Sequence, residues 1–121
     1  MYLETVMSIF APDVVSFDVE PPLQHVGAEA KRKNWERVFA AYQYPLGYEI
    51  RDLTITVGDD VAFGHSFNRF SGTSENGDRT GPWVRYTAGF RKIDGSWFIA
   101  HDQVSVPVDF RNGRALLDLE P

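Results

Sequence analysis

The sequence predicts an α+β domain in which a curved, mostly antiparallel sheet wraps helices near the N-terminus. Three observations point there. Apolar residues recur at helical spacing in two early segments, the chain after Tyr48 alternates like strand, and glycine-containing turns punctuate that second part.

Leu3, Val6, Met7 and Phe10 fall at i, i+3, i+4 and i+7, which predicts an amphipathic helix over residues 2–10. Ala11-Pro12-Asp13 stops it, because proline cannot continue helical hydrogen bonding. "VVSFDV" (14–19) reads as a short strand rich in β-branched residues, and "EPPLQHVG" as a loop in which His25 would be solvated. From Ala28 the helical period returns with Trp35, Val38, Phe39 and Tyr42 on one face, until Pro45 and Gly47 end it. "KRK" (31–33) is assigned to the opposite, solvated face. "YEIRDLTITV", "VAFGHSFNRFSGT", "PWVRYTAGFRK" and "SWFIAHDQVSVPV" then follow as strands. Between the second and third, "ENGD" (75–78) carries the Asn-Gly signal of a tight hairpin. The end, "DFRNGRALLDLEP", reads as a loop with a short docking segment.

With 121 residues and no linker, repeat or low-complexity tract, residues 1–121 form one expected domain. Hydrophobic residues at 43% and aromatics at 14% are enough for a globular core. There is no cysteine, which rules out disulfides and thiolate zinc sites. Lys and Arg number 12 against 17 acidic residues, a net charge of −5 that would repel a phosphate backbone, so nucleic acid is not an expected partner. No apolar run approaches the roughly 18 residues of a membrane span. A cytoplasmic protein without membrane association is the default expectation.

"FAPDVVSFDV", the Gly-started helix "GAEAKRKNW", and "RYTAGFRKIDGSWFIAHDQVS" followed by "GRALLDLEP" occur in an order that resembles the nuclear transport factor 2-like superfamily. The closest likeness is to its SnoaL-like and ketosteroid isomerase-like branch. The resemblance covers nearly the whole chain and implies a conical α+β barrel with a small-molecule cavity. It also implies a full helix ahead of residue 2, which this sequence lacks. In ketosteroid isomerases that helix bears a tyrosine that donates to the substrate oxygen. Without it, one end of the cone would be open unless a second subunit closed it, and a homodimer is the expected assembly.

Asp18 lies nine residues before Gly27, the spacing at which the isomerases place their catalytic aspartate. A carboxylate beside an apolar cone suits proton transfer; the alternative is a turn residue satisfying loop amides before Pro21-Pro22. His65 shares a face with Phe63, Phe67 and Arg69 by alternation, and the resemblance implies that its strand position lines the cavity. His101 and Asp102 are neighbours on a strand and so point to opposite faces. A two-residue turn at Asp94-Gly95 would pair Ile93 with Ser96 and set His101 opposite Ala88. A bulged turn would set His101 opposite Thr87 and Gln103 opposite Arg85. The bulged form is preferred, because by resemblance Ser105 takes a cavity-lining position and His101 and Gln103 share its parity. Arg85, Thr87, His101, Gln103 and Ser105 then form a polar patch inside the cone, with Arg85 either an anion-stabilising cation or half of an ion pair with Asp102. Pairing through "ENGD" sets His65 opposite Ala88, so both histidines point inward only with a further bulge.

Trp35, Phe39 and Phe67 complete the expected ligand wall, while Trp83 and Trp97 are assigned to the outer sheet face. No cofactor is expected, and no motif gathers the three ligands a metal needs. The sequence therefore supports two functions. One is an isomerase-, cyclase-, lyase- or hydrolase-type enzyme acting on a small apolar organic ligand, with Asp18 as general base, His65 or His101 as proton partner and Arg85 as anion stabiliser. The other is a non-catalytic ligand-binding or dimerisation module of the same fold.

Overall fold

The computed structural model of the chain describes residues 2–74 and 77–121. A short helix α1 (Leu3–Met7) leads into β1 (Phe10–Phe17), β2 (His25–Val26) and the main helix α2 (Ala28–Ala40). β3 (Gln43–Val57), β4 (Val61–Ser74), β5 (Gly77–Thr80), β6 (Val84–Ile93) and β7 (Ser96–Ser105) follow, then a hairpin of β8 (Val108–Asp109) and β9 (Arg114–Ala115). One sheet runs β2-β1-β7-β6-β4-β3, with β5 added to β4. Every neighbouring pair is antiparallel except β1 with β7. This is the α+β cone the sequence predicts: a curved sheet with α2 against its concave side.

α1 is shorter than the apolar stripe predicts. Phe10 pairs with Ile99 across the β1–β7 ladder, and its side chain joins Val14, Ala88 and Ile99 in the buried core. The last residue of the helical stripe is thus the first core residue of a strand. Pro12 sits inside β1, where the register with β7 shifts between Phe10 and Val15, so its missing N–H breaks no continuous ladder. Gly27, at φ 88, turns the chain into α2 and donates its N–H to Val14 O at 2.7 Å. α2 stops at Ala40, before the predicted Pro45–Gly47 boundary. The "ENGD" turn falls on Glu75 and Asn76, which lie outside the described residues; the flanking strands pair Ser74 with Gly77.

Two local irregularities decide which side chains face inward. In β3, the register with β4 shifts between Arg51 and Thr54, around Asp52 at φ 56. That bulge keeps Ile50, Leu53 and Ile55 all on the concave side. In β7, Phe90 pairs with Ile99 but Gly89 pairs with His101, leaving Ala100 as the extra residue. Before Ala100 the inward parity belongs to Trp97 and Ile99; after it, to Asp102 and Val104. Trp97 therefore shares the concave parity rather than the outer face, at the end of the strand. Ile93 pairs with Ser96, and Asp94 and Gly95 both have positive φ (50 and 83), a two-residue type I′ turn. The predicted bulged turn is corrected: the bulge exists, but inside the strand.

Candidate functional site

Between α2 and the concave sheet lie two neighbouring cavities, or lobes. The first, about 450 Å³, has a polar end formed by Asp18, Lys31, Asn34, Asn68, Tyr86 and Asp102. The second, about 420 Å³, extends toward α1 and is walled by Val6, Ile9, Ile50, Leu53, Ile55 and Phe90. Trp35, Tyr48, Asn68 and Tyr86 line both.

The polar end is built from alternate residues of several elements. Helical spacing places Lys31, Asn34, Trp35 and Val38 on one side of α2. Strand alternation brings Asn68 from β4, Tyr86 from β6 and Asp102 from β7 to face them. Asp102 is 1% exposed; it accepts hydrogen bonds from Ser16 Oγ at Oδ1 and from Tyr86 Oη at Oδ2, the latter at 3.0 Å. The Lys31 ammonium, also buried, lies 3.9 Å from Asp102 Oδ2 and 3.9 Å from Asp18 Oδ2. It donates to Asn34 Oδ1 at 2.9 Å and sits 5.6 Å above the Phe10 ring and 5.9 Å above the Trp35 ring. Asp18 accepts the Val19 N–H at 2.7 Å through Oδ1.

A lysine has only donors to offer, so Asn34 must turn its oxygen to Lys31. Its Nδ2 is left without a partner among the described residues, as is Trp35 Nε1. A second relay runs from Ser66 Oγ to Asn68 Oδ1 (2.7 Å) and from Asn68 Nδ2 to Tyr48 Oη (2.6 Å). Burial pushes the Tyr48 hydroxyl up to about 12, reinforced by the negative charges of Asp102 and Asp18. Burial and then Asp102 raise Tyr86 well above the ordinary phenol value. Both tyrosines stay protonated near neutral pH and are available as hydrogen-bonding groups.

Of the predicted site residues, Asp18 and Trp35 line the cavity. Phe39 packs against Trp35 and Phe70, with ring centroids 6.0 Å apart in each case, and lies outside the cavity wall. The inward patch is corrected. Arg85, Thr87, His101, Gln103 and Ser105 do come together, but on the convex face: β6 turns Tyr86, Ala88 and Phe90 inward and Arg85 and Thr87 outward, and the two-residue turn with the Ala100 bulge pairs Asp102 and Val104 with that inner row. There Arg85 Nε donates to Ser105 Oγ at 3.0 Å, and His101 Nδ1 lies 2.6 Å from Val15 O with its ring edge-on to Phe17. His65 pairs with Thr87, not Ala88, so it joins the same convex face; it borders the second lobe but its side chain is exposed. Phe67 pairs with Arg85 and shares that outward parity. Asp18 lies across the sheet from both histidines, so these three do not converge on a metal.

The sequence reading missed Lys31, Tyr48, Tyr86, Asn34 and Asn68. One signal was present: Lys31 is four residues before Trp35, on the face assigned to the sheet. His25 also departs from expectation, being buried with Nε2 unpartnered among the described residues.

Residues 2–109 match the SnoaL-like domain family. The chain belongs to that family. Among solved structures, this SnoaL-like chain is similar to an NTF2-like protein of unknown function from Pseudomonas putida, at 31% identity and TM-score 0.84, over 98% of this chain and 82% of the other. A protein from Xanthomonas campestris named for a calcium/calmodulin-dependent protein kinase II association domain shares 22% identity at TM-score 0.72, over 97% and 76% of the two chains. A ketosteroid isomerase-like protein from Erwinia carotovora shares 22% identity at TM-score 0.66, over 85% and 79%. At those two identities the likeness shows the fold alone. No curated protein matches the sequence. No helix among the described residues is long and apolar enough to cross a membrane.

Proposed function

We propose that this SnoaL-like domain binds a small, largely apolar organic molecule in its cavity and moves a proton on it, with Asp18 as the base. The observation that carries this is the Lys31 ammonium held between Asp18 and Asp102 at the end of a mostly apolar cavity. Burying three charged groups is expensive, and an apolar set of similar volume would stabilise the fold at least as well. Such a cluster in a cavity is a functional candidate by its placement. Asp102 is sealed by Ser16 and Tyr86, whereas the Asp18 side chain keeps 14% of its surface open. Asp18 is therefore the carboxylate that can reach a ligand, with Lys31 and Tyr86 in the supporting role the sequence reading gave to a histidine.

Two measurements test this. N-phenyl-1-naphthylamine, a neutral fluorescent probe, should bind and brighten in the wild type. Deuterium uptake α to the carbonyl of a methyl ketone, followed by NMR in heavy water, should exceed the buffer rate and fall roughly 100-fold or more in Asp18→Asn. Probe binding without accelerated exchange supports the second reading, a ligand-binding module without turnover, which the apolar second lobe also suits.

Dimerisation belongs to the same proposal. The convex face carries Phe63 at 55% exposure and, beyond His65 on the same strand face, the half-buried Phe67, two rings a second copy would cover. The chain would then act as one domain per subunit of a cytoplasmic homodimer.

A further inference from the structure

We infer that Ser16 is a positioning residue: through Asp102 it keeps the Lys31 ammonium shared between two carboxylates and so sets the basicity of Asp18. This rests on the reading of Asp18 as the base and adds the group that tunes it. The Lys31 ammonium stands 3.9 Å from Asp18 Oδ2 and 3.9 Å from Asp102 Oδ2, beyond hydrogen-bond reach of either. Its hydrogen bond goes to Asn34 Oδ1, at 2.9 Å. Equal spacing is not what the surroundings favour. The Asp102 side chain is 1% exposed against 14% for Asp18, so water screens it less and its pull on an ammonium at equal distance is stronger. Left to charge alone, Lys31 would settle on Asp102.

What holds it midway is the pair of hydroxyls on Asp102. Ser16 pairs with Asp102 across β1 and β7, is itself fully buried, and donates from Oγ to Asp102 Oδ1; Tyr86 Oη donates to Oδ2 at 3.0 Å. Each oxygen of that carboxylate thus has a donor other than Lys31. Taking away the Ser16 hydroxyl strips Oδ1 of its donor inside a buried site, which is costly. Lys31 carries three donor hydrogens and is the cation beside it, so it would turn toward Asp102 and away from Asp18. Ser16 lines neither lobe, so it acts on a ligand only through this chain of contacts. The titratable groups around Asp18 are Lys31 from α2, Asp102 from β7, and the Tyr48 and Tyr86 phenols from β3 and β6. Arg37 of α2 is paired with Glu20, and His25 of β2 stands opposite Ser16.

The test follows the Asp18 side-chain carboxyl across pH by carbonyl-detected NMR, with probe binding and urea unfolding as checks on the fold. Ser16→Ala should move the Asp18 transition up by roughly 0.5 to 1 pH unit, because Asp18 loses part of its cation, and should leave probe affinity unchanged. Asp102→Asn should move the transition down, because Lys31 then serves Asp18 alone and a like charge is gone. Ser16→Ala combined with Asp102→Asn should behave like Asp102→Asn, since Ser16 acts only through the Asp102 charge. Loosened packing would give neither opposite shifts nor that loss of additivity. Should Asp102→Asn not fold, Tyr86→Phe removes the other hydroxyl and should move the transition up as Ser16→Ala does. A transition that stays put or moves down in Ser16→Ala overturns the inference, as does a double variant whose shift is the sum of the two singles. The acid limb of deuterium exchange should track the same shifts. Exchange absent from the wild type while the NMR shifts hold defeats the base reading and leaves the Ser16–Asp102–Lys31 chain standing. Exchange present with an unmoved transition in Ser16→Ala defeats the chain alone.

Discussion

Removing the Lys31 ammonium leaves the Asp18 and Asp102 carboxylates facing each other without the charge that lies between them. Lys31→Met should therefore lower stability by about 3 kcal/mol in urea denaturation, far beyond what lost methylene packing explains. Adding Asp18→Asn to that variant should recover on the order of 1 kcal/mol, because only the uncompensated charge is being relieved. A purely additive double variant would show that the two groups do not interact. Tyr48 gives a different signal. Its ionisation is harder in the folded chain than in the unfolded one, so the unfolded state releases the proton first. Stability from this group is complete below about pH 10 and is lost as pH rises toward about 12. Absorbance at alkaline pH should show one late-titrating phenol at about 12 that disappears in Tyr48→Phe, along with part of the alkaline loss of stability.

At the scale of elements, turn geometry and two bulges sort the side chains. Gly95 adopts φ 83 in the type I′ turn with nothing near its missing Cβ, so Gly95→Ala meets backbone strain and no clash. A loss of about 1 kcal/mol in thermal or urea unfolding is expected, with the spectrum of the folded state unchanged. The element order was legible in the sequence because periodicity and turn residues are local signals, and α2 with β3, β4, β6 and β7 follows them, whereas β5 (Gly77–Thr80) falls where the sequence reads as turn. Asp18 was legible through the resemblance, since a position nine residues before Gly27 does not depend on strand register. The wall was not legible, because alternation groups the residues of one face without saying which face is inward, and nothing near Ala100 announces the extra residue there. His101, Gln103 and Ser105 kept their common parity and went outward together. Lys31 was misread for another reason. A basic triplet on a helix is normally solvated, and only its fourfold spacing to Trp35 argued otherwise.

For the whole molecule, the cone separates two surfaces with different expected tasks: a concave one that holds the charged cluster and a convex one that holds His65, His101, Arg85 and the outer phenylalanines. If the convex face joins two copies, Phe63→Lys should convert the dimer to a monomer in light scattering while the probe still binds in the cavity. A monomeric wild type would remove that assembly. The Ala100 bulge has a wider consequence for comparing members of this family. Position-by-position alignment assumes that equivalent columns face equivalent ways, yet a relative without the extra residue would present to its cavity the very column that this chain turns to solvent. Ser105, for which the resemblance implies a cavity-lining position, faces outward here beside Arg85. On a strand with such a bulge, the way a residue faces is better transferred by counting from the bulge than from the motif.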